Sequence, residues 1–133
     1  MYLLDTCIPL ELLLEQERAG EVAAFLKAPP SVPLFISDFS IFSLGILCLR
    51  RGKEAAFARF TNDLQTSDAV RVIRLELVDM KDVLNAAIRF GLSFDDAYQY
   101  TVAKKHNLTV VSFDTDFDRT DRGRKTPGEL MGE

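Results

Sequence analysis

Short apolar runs alternate along the chain with longer stretches whose apolar residues recur at helical spacing. Met1–Leu4 runs straight into Asp5, and Leu34-Phe35-Ile36-Ser37, Val70-Arg71-Val72-Ile73-Arg74 and Leu108–Ser112 repeat the theme of a brief aliphatic or β-branched segment. Such segments read as strands, the first of them buried on both faces. Pro9 suits the first turn of a helix that carries Leu10, Leu13, Leu14, Glu17 and Arg18 at helical spacing. Gly20 marks a break before a second amphipathic piece, Glu21–Lys27, which Pro29, Pro30 and Pro33 end. Ser37 and Asp38 are both able N-caps for Phe39–Arg50, a helix apolar around most of its circumference and therefore expected to be buried. Beyond Gly52, Glu54–Leu64 sets Phe57, Phe60 and Leu64 on one face, and a further helix, Val78–Phe90, stops at Gly91. Ser93 with Asp96 three residues on matches a capping box; the helix it opens runs to His106, with Asn107 as a left-handed C-cap. Residues 118–133 form a polar tail, expected as loop plus a short terminal turn.

Strands alternating with helices predict an α/β fold with a mainly parallel sheet and right-handed crossovers, in one domain spanning residues 1–133. In such sheets, sites form beyond the carboxyl ends of the strands. Asp5, Asp38 and Asp114 each follow an expected strand, Asp95 and Asp96 open a helix, and Asp116 completes Asp114-Thr115-Asp116. Acids converging from distant segments, with no catalytic His or Cys, suit a hard divalent cation, Mg²⁺ or Mn²⁺, and phosphodiester cleavage. Simpler roles stand beside this one. Asp95 or Asp96 caps its own helix, and Asp114 makes an ordinary Asx turn. Asp5 is the hardest to explain away, because an acid directly after a buried strand needs a partner or a cation. His106, the single histidine, sits where a helix dipole favours an imidazolium, and Tyr98 and Tyr100 read as core residues on opposite sides of their helix.

Composition changes this picture little. The 47% hydrophobic share and 10 Phe among 133 residues are those of a folded domain, and the net charge of −4 argues mildly against a general polyanion binder. That argument is weak, since metal-binding carboxylates look acidic until their ions arrive. Two basic clusters, Arg50-Arg51-Lys53 and Arg119-Arg122-Arg124-Lys125, either meet phosphates or line solvated loops. Cys7 and Cys48 have no metal spacing and read as small buried thiols in a reducing compartment. The apolar run Ile41–Leu49 is too short for a membrane span, and Met1 leads into a strand without a basic leader, so a soluble cytoplasmic protein is expected.

Three segments together give a resemblance: Leu3-Leu4-Asp5-Thr6, Leu92-Ser93-Phe94-Asp95-Asp96-Ala97 and Ser112-Phe113-Asp114-Thr115-Asp116-Phe117. In this order and spacing the chain resembles the PIN-domain family, including the ribonuclease toxins of VapBC toxin–antitoxin pairs. The resemblance implies a three-layer α/β/α sandwich around a mainly parallel sheet of four to five strands. It also implies Mg²⁺- or Mn²⁺-dependent endonucleolytic cleavage of RNA, a homodimer and an antitoxin partner. It casts Asp5, Asp96 and Asp114 as catalytic metal ligands and Asp116 as a more variable fourth acid; Thr6, Ser43, Asp95 at the helix start, and Asp38, either a cap or a partial substitute for a missing Glu, stand beside them as accessory candidates. Two residues depart from the family pattern: Cys7 stands where Asn is frequent, and Ser43 where a Glu is common. These departures keep a second reading open, a PIN-like module that binds RNA or a protein without cutting. A third reading, an aspartate-based phosphatase or phospho-receiver, lacks the second acid at +2, where Cys7 stands, and a Lys near the end of the fourth strand.

Overall fold

The computed structural model describes residues 1–27 and 32–132. The proposed stop at Pro29 and Pro30 lies outside the described residues. Four strands, β1 (Tyr2–Leu4), β2 (Leu34–Ser37), β3 (Val70–Ile73) and β4 (Thr109–Val111), form one sheet in the order β3-β2-β1-β4. Every pairing is parallel. Seven helices flank it: α1 (Cys7–Leu13), α2 (Ala19–Lys27), α3 (Asp38–Arg50), α4 (Glu54–Thr66), α5 (Met80–Phe90), α6 (Phe94–His106) and α7 (Pro127–Leu130).

The period-two rule of a strand sorts β1 and β4 onto two cores. Leu3 and Val110 point to one core, shared with Val83, Ala86, Tyr98, Val102 and Phe117. Leu4 and Val111 point to the other, with Ile8, Val22 and Phe25. A sheet buried on both faces makes the three layers that the family resemblance implies. The chain adds β2 and then β3 on one side of β1 and returns to place β4 on the other. That reversal opens a crevice between the carboxyl ends of β1 and β4, where Asp5 and Ser112 follow directly.

Local details correct several expectations. The first helix ends at Leu13, not near Arg18, and the chain turns at Glu15, whose φ is +52°. Gly20 is inside α2, because the Glu11 carboxylate accepts the Arg18 amide at 2.9 Å and sets the new helix start upstream of the glycine. Phe39–Arg50 is not buried all round: Leu44 and Cys48 face inward, whereas Phe42 is 65% exposed, with Ile46 and Leu49 beside it. One sheet layer covers only one side of a helix, and an apolar pattern does not say what covers the other. α6 goes the opposite way, with the eight residues Asp96–Ala103 all buried, so Tyr98 and Tyr100 both pack in the core from opposite sides. The polar tail is partly structured. Lys125 exchanges backbone bonds with Val110 and Ser112 at the β4 edge, and Pro127 and Gly128 are buried at the start of α7, where Gly128 N donates to Glu21. The arginines of the second basic cluster brace this region: Arg119 pairs with Asp116, Arg122 donates to the Leu108 carbonyl, and Arg124 donates to Asp118 and the Ser112 carbonyl. No helix among the described residues is long and apolar enough to cross a membrane.

Candidate active site

The crevice at the β1/β4 edge opens into a cleft of about 400 Å³ lined by Asp5, Thr6, Ser43, Asp95, Asp96, Gln99 and Asp114, with Leu10, Phe39, Ile46 and Leu47 as its apolar wall. Asp5 is placed by β1, whose ladder continues one residue further, Asp5 N donating to the Val111 carbonyl at 2.9 Å. Its carboxylate is only 7% exposed and well supplied with donors. Oδ1 accepts from Thr6 N at 2.9 Å and Gln99 Nε2 at 3.1 Å. Oδ2 accepts from Ser112 Oγ at 2.7 Å, with the Cys7 thiol further off at 3.6 Å. Burial nonetheless pushes the Asp5 carboxyl above its ordinary value, against the pull of these bonds, and the Asp114 charge adds to the rise.

Asp96 is placed by α6, which Ser93 caps by accepting the Asp96 amide at 3.3 Å. The capping box expected from sequence is half made: among the described residues, no donor bonds to the Asp96 carboxylate. That oxygen pair is aimed into the cleft instead. Burial, followed by the charges of Asp114, Asp5 and Asp116, pushes its carboxyl up to about 7. Asp114 does make the Asx turn foreseen for it, its Oδ1 accepting the Asp116 amide at 2.8 Å. The turn orients the residue and leaves its second oxygen to the cleft. Asp96, Asp114 and Asp116 each bring one carboxylate oxygen within 4.8 Å of the others. Asp116 pairs with Arg119 at 3.0 Å, whereas Asp96 and Asp114 have no cationic partner among the described residues.

This donor set fits a divalent cation. A carboxylate that is 9% exposed, unbonded and crowded by two others is stable as an anion only with a positive partner, and oxygen-only ligands suit Mg²⁺ or Mn²⁺.

Not every acid expected at the site is there. Asp38 is the first residue of α3, and its Oδ1 accepts the Tyr98 hydroxyl at 2.7 Å and the Phe39 amide at 2.8 Å, outside the cleft lining. Ser37, at the strand tip, is the cap, accepting the Ser40 amide. Asp95 is exposed at the rim. Cys7 is half-buried in the cleft wall, not a core thiol like Cys48; burial and the neighbouring Asp5 push its thiol up to about 12, so it stays protonated. The residues that sequence reasoning passed over are Gln99, Ser40 and Ser112, all fully or almost fully buried. Gln99 lies three residues beyond Asp96, hence on the same helix face, and a polar residue at that offset in an otherwise buried run is the signal that could have found it.

A family profile of the PIN domain matches residues 2–123. The chain belongs to the PIN-domain family. Solved structures share the fold of this PIN domain at low identity. VapC20 of Mycobacterium tuberculosis, a sarcin-ricin-loop-cleaving toxin, superposes with a TM-score of 0.77 at 21% identity, over 89% of this chain and 93% of that one. A toxin–antitoxin complex from Klebsiella pneumoniae gives 0.75 at 22%, over 96% and 98%. FitAcB from Neisseria gonorrhoeae gives 0.72 at 21%, over 98% and 100%. No curated protein sequence matches the chain.

Proposed function

We propose that this PIN domain is a metal-dependent endoribonuclease, the toxin of a toxin–antitoxin pair. The observation that carries the reading is the Asp96–Asp114–Asp116 cluster beside buried Asp5, with the Asp96 carboxylate accepting no hydrogen bond from the described residues. Asp5, Asp96 and Asp114 are assigned as catalytic ligands and Asp116 as an auxiliary one. Together they would hold a divalent cation, which would supply a water of lowered pKa and charge stabilisation at a phosphoryl oxygen. The chain's own groups do the rest. Asp5, fixed by donors on both oxygens, presents a carboxylate of one orientation. The start of α6 brings the positive end of its dipole to the cleft, where a phosphate is favoured. Phe39 and Leu47 make one wall of the cleft apolar.

The toxin assignment draws support from the VapC20 and Klebsiella pneumoniae relatives. An antitoxin and a second copy of the chain are the proposed protein partners, the exposed Phe42, Ile46 and Leu49 of α3 being available for a homodimer. Location in the cytoplasm goes with this assignment. The test is cleavage of end-labelled RNA by the purified protein in Mg²⁺, in Mn²⁺ and in EDTA. Cutting that requires the metal is expected; cutting unaffected by EDTA refutes the proposal.

Ser43 in the cleft favours one rival, a module that binds RNA without cutting it. A hydroxyl offers a water or a weak ligand but no negative charge. Ser43→Glu adds a carboxylate to the cleft and is expected to tighten Mn²⁺ by about tenfold, on the order of 1.4 kcal/mol, read by calorimetric titration. Unchanged affinity would show that position 43 does not serve the ion.

A further inference from the structure

The side chain of Gln99 is 1% exposed and has every hydrogen-bonding group satisfied by a named partner. Its Oε1 accepts from Ser37 Oγ at 2.7 Å, and its Nε2 donates to Ser40 Oγ at 2.7 Å and to Asp5 Oδ1 at 3.1 Å. Ser40 is held in turn by Thr6 Oγ1 at 2.8 Å. A flipped amide would set Oε1 against the Asp5 carboxylate, acceptor against acceptor, whereas the serine hydroxyls can adapt to either orientation, so Asp5 selects the one observed.

The consequence falls on Asp5. Each carboxylate oxygen has two in-plane acceptor sites. Thr6 N and Gln99 Nε2 fill both on Oδ1. Ser112 fills one on Oδ2, and the other is met by the Cys7 thiol at 3.6 Å, a weak donor. The one acceptor site held only by a weak donor, which a cation can displace, is therefore on Oδ2.

We propose that Gln99 is a positioning residue of the metal centre: by saturating Asp5 Oδ1 from a serine-locked amide, it commits Asp5 to offer Oδ2 to the divalent cation. The inference rests on the metal-centre reading given above and does not require that the bound RNA be cut. Groups that orient a metal-binding side chain typically alter affinity or activity by about 10–100-fold when removed.

The test is Mn²⁺ affinity, followed by the loss of the free-ion electron paramagnetic resonance signal, together with kcat and KM for a model RNA. Gln99→Met keeps the side-chain volume and removes the donor to Asp5. It is expected to weaken Mn²⁺ by about tenfold or more and lower kcat comparably, with KM for RNA within twofold. Gln99→Asn, which pulls the amide back from Asp5, is expected to act in the same direction and serves if the Met variant does not fold. Tyr100→Phe is the control for general loss of α6 stability, since one residue along the helix it removes a part-buried hydrogen bond to Asp121 and none in the cleft. Mn²⁺ affinity in a folded Gln99 variant equal to that of the parent overturns the inference, as does equal weakening by Tyr100→Phe. A parent that binds no Mn²⁺ overturns it too. A parent that binds Mn²⁺ with the predicted Gln99 dependence, yet cuts no RNA, supports the positioning role and refutes the nuclease.

Discussion

Asp96→Asn is expected to lower RNA cleavage by on the order of a thousandfold and, at the same time, to make the metal-free protein more stable. The two effects share one cause. The Asp96 carboxylate has no protein donor among the described residues and faces Asp114, Asp116 and Asp5, which push its carboxyl up to about 7. An amide there supplies no charge to neutralise a cation but removes a buried repulsion. Asp5→Asn is expected to lose activity to a similar degree without the gain in stability. Its Oδ1 accepts from two N–H groups, Thr6 and Gln99, so the new NH₂ would either face those donors or take the Oδ2 place, where the Ser112 hydroxyl must turn round to accept. Gel-based cleavage rates and thermal melts of the two variants check both halves. Equal stability changes at the two positions would contradict the hydrogen-bond assignment, and retained cleavage in either would contradict the site.

The second large effect is on stability against pH in EDTA. The unfolded carboxyl titrates near its ordinary value of about 3.9, whereas Asp96 in the folded chain holds its proton until about pH 7. Between these values the native state binds more protons than the unfolded state, so stability falls as pH rises. The favourable contribution is complete below about pH 4 and lost above about pH 7, and Asp5, raised by burial, acts in the same direction. We expect a loss of about 1–3 kcal/mol between pH 4 and 8, equivalent to a fall of about 5–10 °C in melting temperature. Saturating Mn²⁺ at pH 8 should restore it, because an ion that binds only the folded state stabilises by mass action. Asp96→Asn should flatten most of the pH dependence. A melting temperature that climbs steadily through this range in EDTA would contradict the electrostatics of the cleft.

What was legible in the sequence was local. Asp5 could be found because a strand and its terminal acid are adjacent, and Ser93, Asn107 and the turn at Asp114 because caps act over two or three residues. The strand–helix alternation carried the parallel sheet, since few topologies join such elements by right-handed crossovers. What was not legible depended on partners far along the chain. The Gln99–Asp5 bond spans 94 residues and the Ser112–Asp5 bond 107; the offset from Asp96 puts Gln99 on the cleft face of its helix, but nothing local to either residue names Asp5 as its acceptor. Asp38 looked equivalent to Asp5 as an acid after a strand. The structure separates them because β2 ends at Ser37 and Asp38 is already helical, turned toward Tyr98. The exposed face of α3 was misread for a different reason: apolar spacing reports that a surface avoids water, not which molecule covers it.

The measurement that bears most directly on the carboxylate centre is anomalous diffraction from crystals grown with Mn²⁺. The expected result is a manganese peak bounded by Asp96 and Asp114, with Asp5 turned to it through Oδ2. A peak elsewhere, or none at saturating Mn²⁺ with the Asp96 carboxylate still lacking a partner, would contradict the account.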